Sequence, residues 1–337
     1  MYNIAIVGVT GAVGVKMLEV LNSRKFPIKE LNVFASERSK GKTITFRNEE
    51  YTIKTIQDDS FENTHFVFCS ADSNISKKIG PQVRKAKSIL IDDGNAFRMD
   101  DDVPLIVPEV NKQDLDWHNG IVSIPNCTTT PLVMILHALN KHLPIQRVNV
   151  STYQAVSGAG AQAVQELKSQ IKQIINQEKI IPSVFSEQIA MNVIPQVDDF
   201  ESNGYTKEEM KIVNETRKIL HLDNLAISAT CTRVPTMVGH CESVLVEFNQ
   251  EVNLDKIIQI ISNQEGVVHR DLDNIDNYPT PLNATLDDNV YVGRIRKDLS
   301  NINSVLFWLV SDNLLKGAAT NAVQIAESII ERNKLVY

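Results

Sequence analysis

Hydrophobic and polar positions change their spacing repeatedly along the first third of the chain. Residues 3–7 form a short β-branched run with little alternation, which is typical of a strand covered on both faces of a parallel sheet. Apolar residues then recur at helical spacing in residues 13–21, and a polar, helix-compatible stretch covers residues 73–87. Strands that alternate with helices predict a parallel α/β sheet. Further strands are predicted at 31–35, 65–69, 88–91, 105–107 and 120–124.

Longer elements follow residue 124. This mixed α+β pattern predicts a second domain, and a chain of 337 residues fits about two domains of roughly 150 residues each. We expect a first domain at 1–126, completed by the carboxy-terminal helix at 312–337, and a second domain at 127–311. The predicted helices are 129–142, 159–176, 207–219, 254–262 and 315–331, and the predicted strands are 147–156, 226–232, 243–248, 290–295 and 305–310.

The charge balance and the cysteine content exclude several classes of protein. With 34 Lys and Arg against 41 Asp and Glu, the net charge is -7, the wrong sign for a protein that neutralises nucleic-acid phosphates. Apolar runs fall far short of the ~20 residues of a membrane span, and the amino terminus has no basic, apolar leader, so we expect a cytoplasmic protein. The four cysteines form no CxxC pair, so we predict neither a disulfide scaffold nor a metal site.

A glycine turn follows the first predicted strand. Residues 8–14 read GVTGAVG, which places Gly8, Gly11 and Gly14 between a strand and a helix. Backbone N–H groups at such a turn point outward at the positive end of the helix, where they can cradle a pyrophosphate. The spacing is GxxGxxG rather than GxGxxG, and glycine turns also serve as plain connections. The position directly after the opening strand favours the dinucleotide site.

The residues after the second predicted strand bear on which dinucleotide is bound. An NAD site places a carboxylate there for the ribose hydroxyls, whereas this chain offers hydroxyls and a guanidinium in Ser36, Arg38 and Ser39. These groups suit a 2′-phosphate, so we expect NADP as the cofactor. The expectation requires Glu37 to point away, and a solvated surface charge is the alternative interpretation of Arg38.

Cys127 differs from the other cysteines in its place on the predicted elements. It follows an apolar strand and precedes a helix whose start is marked by a threonine cluster. The N–H groups and dipole at a helix amino terminus favour the thiolate, which is the nucleophilic form. Cys69 and Cys231 lie in apolar strands and are interpreted as buried. Cys241 neighbours His240, and adjacent strand residues point to opposite faces, so we expect only one of them to face a site.

A nucleotide turn together with an activated thiol predicts one chemistry. A thiolate adds to an aldehyde or an activated acyl group, and hydride moves between the adduct and a nicotinamide. A set of motifs in order along the whole chain then resembles the aspartate-semialdehyde dehydrogenase family of bacterial type. These motifs are GVTGAVG at 8–14, SIPNCTT at 123–129, YQAVSGAG at 153–160, RVPTMVGH at 233–240, VGRIRKD at 292–298 and SDNLLKGAA at 311–319.

The resemblance implies roles that residue type and spacing leave open. It makes Cys127 the acyl-accepting nucleophile, His240 the general acid/base and Gln154 the residue that positions the substrate. Without the resemblance, His240 and Gln154 are interpreted as structural residues. The cofactor-binding positions that it implies are Gly8, Thr10, Gly11, Ala12, Val13, Ser36, Arg38, Ser39, Ser70, Ala71, Ser157, Gly158 and Asn313.

The resemblance also implies the contacts to the substrate. Arg233 would clamp the α-carboxylate, and Glu208 would take the ammonium group. Arg98 and Lys211 would hold inorganic phosphate or the acyl phosphate, with Asn126 as a further polar contact. On spacing by itself, Glu208 and Lys211 share a helix face and are interpreted as a surface ion pair.

The resulting hypothesis is the NADPH-dependent reductive dephosphorylation of 4-phospho-L-aspartate to L-aspartate 4-semialdehyde through a thioester on Cys127. The resemblance implies a Rossmann-type domain with a mixed α+β catalytic and dimerisation domain. It also implies a homodimer or homotetramer that serves lysine, threonine, methionine and diaminopimelate biosynthesis. The alternatives are a related acyl-phosphate or acyl-CoA reductase such as N-acetyl-glutamyl-phosphate reductase, a non-catalytic relative, and a cysteine hydrolase built on Cys127 and His240.

Overall fold

The structure divides into two compact units. The computed structural model describes residues 1–270 and 277–335. One unit consists of Met1–Asn126 with Ala318–Tyr337, and the other of Cys127–Gly317. Residues 312–317 therefore group with the second unit, whereas the predicted boundary placed them in the first; of that predicted domain, residues 336 and 337 lie outside the described part.

A parallel sheet forms the centre of the first unit. The strands of this unit are β1 (Tyr2–Val7), β2 (Ile28–Phe34), β3 (Thr43–Phe46), β4 (Glu49–Thr52), β5 (Phe66–Cys69), β6 (Ile89–Asp92) and β7 (Ile121–Ser123). The sheet has the order β2-β1-β5-β6-β7, with each neighbouring pair parallel. Strands β5, β6 and β7 are buried at every position, because both faces of the sheet are covered, and they therefore appear in the sequence as continuous apolar runs.

Helices follow the strands in the first unit and return at its carboxy-terminal end. In chain order the α-helices of the molecule are α1 (Ala12–Ser23), α2 (Ser73–Lys85), α3 (Pro108–Asn111), α4 (Thr129–Asn140), α5 (Ala161–Ile175), α6 (Lys207–Leu220), α7 (Leu254–Ser262), α8 (Pro281–Ala284) and α9 (Thr320–Glu331). Asp72 caps α2, since its carboxylate accepts the N–H groups of Asn74 and Ile75. An ion pair of 2.6 Å between Arg24 and Glu327 ties the end of α1 to α9. The last helix is therefore part of the first unit.

Two features of the first unit differ from the sequence-based prediction. The strand predicted at 105–107 is reduced to an isolated bridge between Leu105 and Ser123, because Pro104 and Pro108 bracket the segment and have no N–H to donate. The hairpin of β3 and β4 was not predicted. Its turn contains Arg47 and Asn48 in left-handed conformation, at φ 50° and φ 66°, without the Asn-Gly or Asp-Gly pair that usually marks such a turn.

A mixed sheet forms the centre of the second unit. Its strands are β8 (Ile145–Gln154), β9 (Ala226–Arg233), β10 (His240–Phe248), β11 (Val267–Arg270), β12 (Val290–Lys297) and β13 (Ser304–Ser311). They lie in the order β11-β12-β13-β10-β8-β9. Strands β8 and β9 run parallel, while β10 is antiparallel to both β8 and β13. This arrangement decides which strand ends meet.

The register of these strands brings chemically distinctive residues to one end of the sheet. Gln154 and Arg233 are paired at the ends of the parallel strands β8 and β9. His240 opens the antiparallel strand β10 and is paired with Ser311, the last residue of β13. Gln154, Arg233 and His240 therefore lie at the same end of the sheet, although up to 86 positions separate them in sequence.

The predicted carboxy-terminal helix begins with a π-helical turn. Residues Leu315–Ala319 form a π-helical turn before α9 begins at Thr320. The Asp312 carboxylate accepts the N–H groups of Leu314 and Leu315, which fixes the entry into this turn. Within residues 1–270 and 277–335, helices that combine the length and the apolar character required to cross a membrane are absent.

Candidate active site

The glycine turn of the first unit is closed by backbone contacts that leave no room for side chains. Gly8 has φ +87°, and a Cβ on it would lie 2.1 Å from the carbonyl oxygen of Ser70. A Cβ on Gly14 would lie 2.2 Å from the carbonyl oxygen of Gly8. Gly11 is the N-cap of α1 and supplies no side-chain cap to the first turn of the helix. The turn therefore presents backbone N–H groups at a helix amino terminus, as a phosphate requires.

The other residues predicted for the cofactor in the first unit border this turn. Thr10 is exposed, Ala12 and Val13 are half-buried, and Ser70 and Ala71 lie against Gly8. The next strand also meets the turn, because the carbonyl oxygen of Phe34 at the end of β2 accepts the N–H groups of Gly8 and Val9 at 3.0 and 3.2 Å. The end of β2 and the turn are therefore held together.

Ser36, Arg38 and Ser39 follow β2 directly. Glu37–Ser39 form a single 3₁₀ turn in which Ser36 is the N-cap. Arg38 is exposed, and Glu37 is exposed and paired with Lys40 at 3.5 Å. A nucleotide phosphate near this turn would meet the Arg38 guanidinium, while the Glu37 charge is partly offset by Lys40.

Arg98 lies in the segment that follows β6 in the first unit. It is buried, and its Nη2 donates to the carbonyl oxygen of Asp93 at 2.8 Å. Ser70 donates its hydroxyl to the Asp93 carboxylate at 3.2 Å. Burial raises the pKa of Asp93 to about 6, against the opposing effect of the Arg98 charge. Asn126, buried at the end of this unit, precedes the nucleophile predicted at Cys127.

Cys127 lies in the second unit just before Thr128, the N-cap residue of α4. It is half-buried, whereas Cys69, Cys231 and Cys241 are buried. Burial raises the pKa of the Cys69 and Cys231 thiols, and that of Cys241 to about 12. Cys127 interacts electrostatically with the Arg233 guanidinium.

A backbone segment of the second unit packs closely on Cys127. A Cβ on Gly317 would lie 2.9 Å from the Cβ of Cys127. Gly317 belongs to the π-helical turn Leu315–Ala319, and such turns are frequent at functional sites. The π-helical turn therefore restricts the space available to the Cys127 side chain.

His240 is buried and held in one orientation. Its Nδ1 accepts the backbone N–H of Ala155 at 3.0 Å, so we place the ring proton on Nε2. Within the described ranges Nε2 has no hydrogen-bond partner, and a Cβ on Gly158 would lie 3.1 Å from it. Burial, together with the Arg233 charge, lowers the pKa of His240 to about 3. The neutral ring thus keeps an N–H donor for a substrate oxygen.

Gln154 opens a chain of hydrogen bonds that ends in an ion pair. Its Oε1 accepts from the Thr152 hydroxyl at 3.0 Å, and its Nε2 donates to Glu208 at 2.9 Å. Glu208 is paired with Lys211 at 3.0 Å, and Lys211 also meets Asp198 at 2.8 Å. Burial lowers the pKa of Lys211, but its two carboxylate partners outweigh burial and raise it.

The position of Asp198 was not predicted from the sequence. It lies 13 residues before Lys211 in an irregular segment, and no spacing rule connects the two. Glu208 and Lys211 form the predicted pair on one face of α6, but Glu208 is buried rather than on the surface. Arg98 and Lys211 were predicted to hold phosphate together. Arg98 lies in the first unit and Lys211 in the second.

The remaining predicted residues lie beside His240. Arg233 is 6% exposed, and its Nη1 donates to the carbonyl oxygen of Ala155 at 2.8 Å. Ser157 donates its hydroxyl to Asn313 at 3.0 Å, and the N–H of Gly239 donates to the same amide oxygen at 3.0 Å. Burial lowers the pKa of the Arg233 guanidinium, opposed by Glu208. Cys241 packs instead with Ala284, Tyr291 and Val310 in a separate apolar cluster, as its strand position requires.

Models of protein families match both units. Residues 3–118 match the semialdehyde dehydrogenase NAD binding domain, and residues 136–316 match the semialdehyde dehydrogenase dimerisation domain. These matches confirm the predicted fold class, which combines a dinucleotide-binding domain of Rossmann type with a mixed α+β domain.

Curated proteins and solved structures resemble the chain over nearly its whole length. Aspartate-semialdehyde dehydrogenases from Bacillus subtilis and Aquifex aeolicus are each 45% identical to it, and each match covers 98% of both chains. The crystal structure of aspartate semialdehyde dehydrogenase II from Vibrio cholerae, complexed with ASA, superposes with a TM-score of 0.95 at 40% identity and 98% coverage of both chains. The fold extends to the Candida albicans enzyme solved with NADP, at 22% identity, a TM-score of 0.76 and 99% coverage of both chains. With identity of 45% to two curated chains from end to end, the chain belongs to the aspartate-semialdehyde dehydrogenase family.

Proposed function

We propose that the chain reduces 4-phospho-L-aspartate to L-aspartate 4-semialdehyde and inorganic phosphate, with Cys127 as the nucleophile. The observation that carries this proposal is the neutral, buried imidazole of His240, whose Nε2–H points into the space that Gly158 and Arg233 border. A donor fixed in this way can stabilise and protonate the oxygen of a tetrahedral adduct on a thiol.

The chemistry divides into two steps at Cys127. The thiolate attacks the acyl phosphate carbon, a thioester forms, and the bond to phosphate breaks. When bound, NADPH supplies the hydride that reduces the thioester carbonyl. The Nε2 proton of His240 is shared with the oxygen that becomes negative and returns to His240 as that oxygen re-forms the carbonyl of the semialdehyde. In the same step the bond between carbon and sulfur breaks and the Cys127 thiolate leaves.

In this proposal each part of the substrate is assigned to particular side chains. Arg233 offers a planar guanidinium for the α-carboxylate, and Glu208, buried beside Gln154, offers a negative charge for the ammonium group. Arg98 and Lys211, with Asn126, supply the groups that hold phosphate. Gln154 is fixed through Thr152 and Glu208, which orients its amide toward the substrate.

The first unit, as proposed, is the cofactor domain and prefers NADP. The glycine turn supplies room and backbone donors for the pyrophosphate, and the Ser36, Arg38 and Ser39 turn supplies groups for a 2′-phosphate. The second unit, as proposed, provides catalysis and the contact between subunits of a homodimer or homotetramer, in a cytoplasmic enzyme of lysine, threonine, methionine and diaminopimelate biosynthesis.

The test is phosphate-dependent reduction of NADP by aspartate semialdehyde, followed by the absorbance of the NADPH formed, which runs the reaction in reverse. Cys127→Ala should abolish turnover, and Cys241→Ala, which removes a buried thiol outside the proposed machinery, should leave it nearly unchanged. Undiminished turnover in Cys127→Ala contradicts the proposal. Faster turnover of N-acetyl-glutamate semialdehyde than of aspartate semialdehyde would favour the related reductase instead.

A further inference from the structure

The segment that connects α5 to α6 passes directly along Arg233. Ile194 and Arg233 exchange backbone hydrogen bonds of 2.8 and 3.0 Å in an antiparallel bridge. Since β9 is the edge strand of the sheet, this bridge gives Arg233 backbone partners on its open side. The geometry of the segment is therefore coupled to the position of the guanidinium that we assign to the substrate carboxylate.

Two side chains of α5 anchor this segment. The buried carboxylate of Glu166 accepts the hydroxyl of Ser183 at 2.7 Å and the N–H groups of Ser183 and Val184 at 3.2 and 2.5 Å. Gln170, one helical turn later, accepts the N–H groups of Ile189 and Ala190 at 3.0 Å each. Burial raises the pKa of Glu166, but these hydrogen bonds outweigh burial and lower it. The backbone is thus fixed on both sides of residue 185.

Phe185 lies between these two anchors and faces Arg233. Its ring packs on the apolar cluster that contains Val156, Leu167 and Ile189. The guanidinium carbon of Arg233 lies 6.0 Å from the centroid of the same ring. An arginine over an aromatic face at this distance gains a cation–π attraction, which is stronger where water is excluded. Because Arg233 is buried, we expect the stronger form of this cation–π attraction.

We propose that Phe185 is a positioning residue for the substrate α-carboxylate. Its ring, 6.0 Å from the guanidinium carbon, restricts the position of the Arg233 guanidinium on one side, while the Ala155 carbonyl accepts a hydrogen bond from Nη1. The carboxylate then meets a donor whose orientation is already fixed, so less ordering is required on binding. This inference rests on the role proposed for Arg233 and adds Phe185, with Glu166 and Gln170 acting through the segment they anchor.

The experiment uses Phe185→Leu, which keeps apolar volume in the cluster and removes the aromatic face. Loss of a cation–π contact corresponds to roughly a 3- to 30-fold change, and we expect it in the KM for aspartate semialdehyde, with kcat within about twofold and the KM for phosphate unchanged. Phe200→Ala, at a phenylalanine that is 60% exposed in the same unit, is the matched control and should change neither constant.

A double-mutant cycle separates this inference from the function on which it rests. In an Arg233→Ala background, Phe185→Leu should add nothing to the KM, because the group it positions is gone. The inference is overturned if Phe185→Leu leaves the KM within twofold of the parent, or if it raises the KM equally with and without Arg233. If Arg233→Ala itself leaves the KM unchanged, the role proposed for Arg233 fails as well. Glu166→Gln, which keeps shape but adds an N–H beside backbone donors, should raise the KM in the same direction.

Discussion

The imidazole of His240 accepts the backbone N–H of Ala155, so that a residue opening β10 is oriented by the residue that follows β8. The bond assigns the ring proton to Nε2 and aims that atom at the space beside Gly158. Because strand register brings these two residues together, the donor is in place before a substrate arrives. This relationship has a consequence for stability as well as for catalysis.

The folded protein should lose stability in acid through His240. Its pKa is about 3 in the folded state, because of burial and the Arg233 charge, against 6.5 for a free imidazole. The unfolded chain therefore binds more protons between these values, and the free energy of unfolding falls as pH drops from 6.5 toward 3, by up to about 1.4 kcal/mol per pH unit. Thermal denaturation of His240→Gln and the parent between pH 4 and pH 8 should show a shallower acid slope in the variant. Parallel slopes would contradict the burial of a neutral ring.

Alanine at Gly8 should impair both folding and cofactor binding. The residue has φ +87° and a Cβ would meet the Ser70 carbonyl, so a strained backbone and a clash are added together. Gly41 is the matched control, since it has φ +78° but nothing within 4 Å of a Cβ. We expect Gly41→Ala to cost about 1–2 kcal/mol of unfolding free energy, and Gly8→Ala about 1–3 kcal/mol more, with weaker NADPH binding. Urea denaturation measures the free energy of unfolding, and fluorescence titration measures NADPH binding. Equal losses of unfolding free energy in Gly8→Ala and Gly41→Ala would argue against the close packing at Gly8.

Removing Lys211 should destabilise the protein because Glu208 stays buried. Glu208 is 5% exposed and pairs with Lys211 at 3.0 Å. Lys211→Met removes the ion-pair partner of this buried carboxylate, a change that typically costs about 3–5 kcal/mol. Adding Glu208→Gln should recover part of this loss. The exposed pair of Lys207 and Asp199 on the preceding turn is the control, and Lys207→Met should change urea denaturation little. Additive losses in the double variant would refute the coupling.

Arg38 should decide between the two nicotinamide dinucleotides. Its exposed guanidinium follows β2, where the 2′-phosphate of NADPH is expected and NADH carries a hydroxyl. Removing a hydrogen bond to a charged group costs about 1.5–3 kcal/mol, so Arg38→Ala should weaken NADPH binding by about 10- to 100-fold and leave NADH binding unchanged. Titration with both nucleotides provides its own control. An equal loss for both would show that Arg38 acts on the shared part of the cofactor or on folding.

The sequence by itself determined the elements that have strong local causes. Buried parallel strands appear as continuous apolar runs, and the helix at Leu254–Ser262 was predicted at the observed bounds because its apolar stripe and its cap are both local. The glycine turn before α1 and the position of Cys127 near the start of α4 were also predicted from the sequence. The strand predicted at 105–107 was wrong because the flanking prolines have no N–H to extend the backbone hydrogen bonds that the segment makes with Ser123.

The tertiary structure decided what surrounds each candidate residue. Strand order and register brought Gln154, Arg233 and His240 to one end of the sheet. Both depend on pairings between segments that are distant in sequence. Burial then lowered the pKa of His240, and the fold placed Asp198 on Lys211 and Phe185 on Arg233. Residue type and spacing cannot encode these outcomes, because desolvation and orientation depend on groups supplied by elements that are neighbours only in the folded chain.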